Sequence, residues 1–138
     1  MRVVLADDDE LVRGVTAALL SFVGGVAIVG EAADGAELIA LVERLHPDLV
    51  VTDISMPGMD GLEAIMRIHS GHPEVRALVV SMLGTADVVR RALCSGALGY
   101  VRKDAAPAEL EDAVREVMSG HEYLGPSAAR ALGHGRLA

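Results

Sequence analysis

The stretch "PDLVVTD", residues 47–53, decides how this chain folds. Pro47 ends any helix before it, and the β-branched run that follows favours a strand. Leu49, Val50 and Val51 are all apolar, so neither face of this strand is built for water. Continuous apolar strands belong to a parallel sheet covered on both sides, whereas a half-exposed antiparallel ribbon alternates. The run then closes on a carboxylate, Asp53.

The same pattern recurs on either side. "RVVLA" (2–6), "VAIVGEAA" (26–33), "RALVVSM" (76–82) and "ALGYVR" (97–102) read as further strands. Between them lie amphipathic runs. "ELVRGVTAALLSFV" (10–23) has Leu11, Val15, Ala18, Leu19 and Phe22 at helical spacing and stops at Gly24 and Gly25. "GAELIALVERLH" (35–46) follows Asp34, and a helix over 62–69 follows the Pro/Gly loop 54–61 and Asp60; both aspartates are expected caps. A helix covers about 85–95, and "PAELEDAVREVMSG" (107–120) opens with Pro107 in its first turn. The alternation predicts an α/β, (βα)5 flavodoxin-like fold: a doubly wound parallel sheet of strand order 2-1-3-4-5. Ligands of such sheets gather beyond the carboxyl ends of the strands, where the strand order reverses.

Those ends carry a consistent chemistry. Asp7, Asp8 and Asp9 follow the first strand, Asp53 ends the third, Ser81 ends the fourth, and Lys103 follows the fifth. With strands 1 and 3 adjacent, Asp7, Asp8 and Asp53 converge. Two carboxylates about 5 Å apart repel by roughly 3 kcal/mol at an effective dielectric near 20. A proton or a cation must relieve this. Hard oxygen donors on an α/β sheet suit Mg²⁺. A hydroxyl at Ser81 and an ammonium at Lys103 would complete a phosphoryl site, with Asp53 as the nucleophile. Lys103 is the only lysine, against eleven arginines. A compact ammonium suits a point contact with one phosphoryl oxygen, while a guanidinium fork suits bidentate partners. Arg102 is expected on the other side of the strand.

Composition narrows the function classes. A chain of 138 residues, 51% apolar and 2% aromatic, fits one domain with an aliphatic core. A net charge of −8 argues against binding nucleic acid directly and against anionic membranes. Cys94 stands alone, so no internal disulfide or thiolate cluster is possible; it is expected as a small core residue. The start is no signal peptide, and no apolar run approaches the roughly 20 residues of a membrane span. A soluble, cytoplasmic protein is expected. His69 and His72 match no metal spacing, and no phosphate-binding GxxxxGK[ST] loop occurs.

Several stretches carry a resemblance. "VVLADDDELVR" (3–13), "VGEAADGAELI" (29–39), "PDLVVTDISMPGMDGLEA" (47–64), "ALVVSM" (77–82) and "GALGYVRKDAAPAELEDAVREV" (96–117) resemble the receiver domain of two-component response regulators. "GEAADG" and "KDA" look like the NarL/FixJ subfamily of transcriptional regulators. The resemblance implies a signalling domain and not a dedicated enzyme. It implies that a histidine kinase phosphorylates Asp53, and that Asp8, Asp53 and the backbone carbonyl of Ser55 bind Mg²⁺, with Asp7 acting through a metal-bound water. It further makes Ser81 the switch hydroxyl, Tyr100 the switch aromatic and Lys103 the phosphoryl contact, with a homodimer on phosphorylation. Residues 1–120 would be the receiver and 121–138 a solvated linker. That linker would lead to a helix-turn-helix domain that contacts DNA and is absent from this chain. Met82 is bulky where the family usually carries a small residue and is expected to narrow the site. Asp9 adds an acid where the family is often neutral, as a spare charge or helix cap.

Two rival readings use the same residues less fully. A haloacid-dehalogenase-type phosphatase would take Asp7 as nucleophile and Asp9 as acid/base, but leaves Asp53 and Tyr100 without roles. A flavin-binding module would need a hydroxyl- or glycine-rich loop after strand 1, where this chain is acidic.

Overall fold

The computed structural model describes residues 1–133. The expected strands form as β1 (Arg2–Ala6), β2 (Ala27–Ala32), β3 (Leu49–Thr52), β4 (Arg76–Ser81) and β5 (Gly99–Arg102). The helices are α1 (Glu10–Ser21), α2 (Gly35–Leu45), α3 (Gly61–Gly71), α4 (Ala86–Ser95) and α5 (Pro107–Met118). All neighbouring strands pair in parallel, in the order expected, with one strand added at the end: β2-β1-β3-β4-β5-β6.

The two-residue period of a strand sorts its side chains between two apolar layers. Val3, Leu5, Leu49, Val51, Leu78, Val80 and Val101 pack with Leu20 of α1 and with Leu110, Ala113, Val114 and Val117 of α5. On the opposite face, Val4, Ala6 and Val50 meet Leu38 and Val42 of α2 and Ala64 and Ile68 of α3. Ala77, Val79 and Tyr100 continue that face against Leu62, Ile65, Val89 and Ala92. Each fully buried Leu or Val contributes about 1.5–3 kcal/mol. Central strands apolar at every position are what this two-sided burial requires.

The caps explain where the helices begin. Asp34 accepts from the amide of Glu37, and Asp60 from the amide of Glu63, at 2.8 Å each. Asp9 accepts from the amides of Leu11 and Val12, so the extra acid is the cap of α1. Gly61 lets α3 start hard against β3, because a Cβ there would collide with the backbone carbonyl of Asp53.

Three expectations need correction. The residues whose spacing predicts α1 are mostly not the ones it buries. Thr16 and Leu20 face inward, while Leu11, Val15 and Phe22 are 78%, 54% and 85% exposed. This helix is apolar around much of its circumference, so spacing alone does not choose a face. Cys94 is exposed, because α4 turns Val89 and Ala92 toward the sheet instead. Finally, the segment expected as a solvated linker is folded over much of its length. β6 (Tyr123–Leu124) pairs with β5, and α6 (Pro126–Ala131) lies beside α4 and β5. Leu124, Ala128 and Leu132 recur at helical spacing and join the apolar cluster around Tyr100. His134 and Arg136 of the same tail lie outside the described residues. Among the described residues no helix is long and apolar enough to cross a membrane.

Candidate functional site

The carboxyl edge of the sheet brings the expected side chains together. The amide of Asp53 donates to the carbonyl of Ala6, and the amide of Lys103 to that of Ser81, both at 3.0 Å. Backbone pairing thus aligns the residues that leave β1, β3, β4 and β5. Asp7 and Asp53 are buried and Asp8 is exposed, and one carboxylate oxygen from each lies within 4.8 Å of the others.

Lys103 closes the group from β5. Its Nζ donates to Asp53 Oδ2 at 2.9 Å and lies 2.8 Å from Asp7 Oδ2. The second contact was not expected: the lysine bridges both buried carboxylates. Asp53 Oδ1 accepts from the amide of Ile54 at 2.7 Å, and Asp7 Oδ1 from that of Asp9 at 3.0 Å. Burial works against the charge on Lys103, but its hydrogen bonds to Asp7 and Asp53 outweigh that and hold its pKa above the ordinary lysine value. The ammonium is therefore charged at neutral pH.

Arg102 takes a different course. Its guanidinium meets Asp104 in a two-point contact, at 3.1 and 3.2 Å, and does not line the cleft. This pair of neighbours divides the work by shape, the fork to a planar carboxylate and the point charge to a crowded cleft.

The cleft has a volume of about 320 Å³ and is lined by Asp8, Asp9, Asp53, Ser55, Ser81, Met82, Leu83 and Lys103. Ser81 Oγ accepts from the amide of Leu83 at 3.1 Å. The Tyr100 hydroxyl donates to the carbonyl of Leu83 at 2.7 Å, and the residue is fully buried. Burial is the main reason its pKa is raised, and the nearby charge of Asp53 raises it further. Tyr100 and Ser81 thus share one loop, that between β4 and α4. Met82 is half exposed and forms part of the cleft wall.

Three carboxylates and one ammonium leave the site with two net negative charges. Hard, closely spaced oxygen donors with residual negative charge fit a small divalent cation such as Mg²⁺. Outside this set, sequence reasoning missed Arg13. Its Nη1 donates to the carbonyl of Asp7 at 2.7 Å, and its Nε to Glu31 at 3.1 Å. The only signal was an arginine one turn into the helix that follows the acidic loop.

Residues 3–115 match the family model described as the response regulator receiver domain. The chain is 36% identical over 132 residues to the response regulator GacA of Pseudomonas viridiflava, covering 96% of this chain and 62% of that protein. It therefore spans less than two thirds of that curated relative. A crystal structure of a LuxR-family two-component response regulator from Aurantimonas sp. SI85-9A1 superposes with a TM-score of 0.93 at 34% identity, over 99% of this chain and 98% of that one. The isolated REC domain of RcsB from Salmonella enterica serovar Typhimurium, solved with the phosphomimetic BeF3-, gives 0.88 at 30% identity, over 96% and 98%.

Proposed function

This chain belongs to the response regulator receiver family, and on that premise we propose that it relays a signal by accepting a phosphoryl group on Asp53. The donor is a phosphohistidine of a histidine kinase. Asp53 Oδ2 attacks phosphorus, the P–N bond breaks, and its electron pair returns to the imidazole. Such a transfer asks for positioning and charge neutralisation more than for covalent machinery. Asp8, Asp53 and the backbone carbonyl of Ser55 would hold Mg²⁺, with Asp7 acting through a water of the ion. The ion, when bound, neutralises charge on the phosphoryl oxygens.

The chain's own residues supply the rest. Lys103 leaves its present partner, Asp53 Oδ2, for a phosphoryl oxygen and keeps Asp7 as its second anchor. The Ser81 hydroxyl accepts from the amide of Leu83 and can turn its proton to the same phosphoryl group. Drawing Ser81 in moves the β4–α4 loop, and Tyr100 senses that movement through its bond to Leu83. The phosphoryl group so biases a two-state face. The domain works in the cytoplasm as a signalling element, pairs with a second copy when phosphorylated, and reaches DNA only through a separate helix-turn-helix domain.

The observation that carries this reading is the convergence of Asp53 with Asp7, Asp8 and Lys103 on one cleft. The test is incubation with acetyl phosphate and Mg²⁺, followed by mapping of the modified residue. Asp53 is expected to carry the label, and Asp53→Asn to lose it. Equal labelling of both proteins, or a label on Asp7, would overturn the proposal.

A further inference from the structure

The acidic loop between β1 and α1 carries two of the proposed magnesium-binding residues, and one side chain pins its backbone. Arg13 sits on α1 one turn beyond the Asp9 cap. Helical side chains lean toward the helix N-terminus, which carries this guanidinium back over the loop. Nη1 donates to the Asp7 carbonyl at 2.7 Å. Nε meets Glu31 of β2 at 3.1 Å, and the arginine side chain is only 18% exposed. One side chain thus ties α1, the loop and β2 together.

The carbonyl it holds is a sensitive point. The peptide between Asp7 and Asp8 is planar, so fixing the Asp7 oxygen fixes the direction in which Asp8 leaves. Asp7 has other restraints: its amide donates to Ala32, and its carboxylate meets Lys103 and the amide of Asp9. The exposed Asp8 carboxylate has no protein hydrogen bond among the described residues, so its place beside Asp53 depends on the backbone alone. Glu31 has a second effect. It cancels the charge of Arg13, which would otherwise oppose a cation in the cleft.

We propose that Arg13, braced by Glu31, is a positioning residue for the cation site, holding the Asp7–Asp8 peptide so that Asp8 stands ready beside Asp53. This rests on the reading of Asp8 and Asp53 as Mg²⁺ ligands. Residues one step removed from a metal commonly change its affinity by about 10–100-fold when replaced.

The test is calorimetric titration of the chain with Mg²⁺, alongside amide exchange at Asp8 and Asp9. The double variant Arg13→Gln/Glu31→Gln removes the brace without altering local net charge. It is expected to bind Mg²⁺ about tenfold more weakly, and its Asp8 and Asp9 amides are expected to exchange faster. A merely structural brace would lower the melting temperature and leave the affinity of the folded protein unchanged; an affinity within twofold of the parent overturns the inference. Should the double variant not fold, Arg13→Lys decides. It keeps the charge but cannot span both partners, and unchanged affinity there overturns the inference equally. If the unaltered chain itself shows no saturable Mg²⁺ binding, the reading of the cation site fails first and this inference goes with it.

Discussion

At the carboxyl edge, three carboxylates crowd together and one ammonium bridges two of them. At the flank beyond β5, a two-residue strand and a six-residue helix rest on apolar side chains. The first region is dense in charge and cannot open without separating β1, β3 and β5. The second is held by Leu124, Ala128 and Leu132 and by the short β5–β6 pairing, flanked by bonds from the amides of Tyr123 and Gly125 to the carbonyls of Leu98 and Tyr100. It can leave the sheet alone. A defect in the cleft should therefore weaken the whole fold, and a defect in the flank should be absorbed by local undocking.

The largest effect tests the cleft. Lys103→Met removes the cation that separates Asp7 from Asp53, leaving two buried carboxylates face to face. Unfolding in denaturant with a chelator present at neutral pH should show a loss of about 3 kcal/mol, as for other buried pairs that lose one partner. Saturating Mg²⁺ should return part of it. A loss below about 1 kcal/mol would mean that solvent screens this pair like a surface one, and the contrast would collapse.

Ala128→Asp tests the flank. Undocking α6 costs less than burying a lone carboxylate, so global stability should fall by about 1 kcal/mol or less. Amides of residues 123–131 should instead lose their exchange protection. A global loss as large as that of Lys103→Met would join the two regions into one cooperative unit.

Glu109→Gln is the smallest and probes the seam. This carboxylate lies against Gly125, and a Cβ at that position would collide with it. Burial raises its pKa above the ordinary glutamate value, helped by the charges of Asp104 and Asp112. A raised value means that the folded chain holds the proton more tightly than the unfolded chain. The favourable contribution is thus present at low pH and lost as pH rises through the folded value. Glutamine should flatten that slope in denaturation midpoints measured against pH. At neutral pH it should add a few tenths of a kcal/mol, since the site is partly open to solvent.

The parts of the molecule that were legible in sequence share a cause. β3 announced itself by apolar residues on both faces, and a parallel sheet places every residue after a strand on the same edge. Asp7, Asp8, Asp53, Ser81 and Lys103 could be gathered from that rule alone. The features missed depend on rotation and reach. Which side of α1 is buried, and so where Arg13 points, follows from how the helix docks and not from its composition. The exposure of Cys94 reflects the same freedom in α4. The bridge from Lys103 to Asp7 as well as Asp53 depends on the length of a side chain. β6 is too short to leave a periodic signal, although the four-residue spacing of Leu124, Ala128 and Leu132 was there to be read.

The brevity of β6 also governs how the molecule meets copies of itself. A bare β5 would offer neighbouring chains a row of unpaired amides and carbonyls, a template for edge-to-edge stacking. β6 occupies Gly99 and Tyr100 of that row and replaces it with an edge only two residues long. Pro126, two residues later, has no amide hydrogen to extend it. The segment thus ends the sheet on this side and discourages further growth into aggregates.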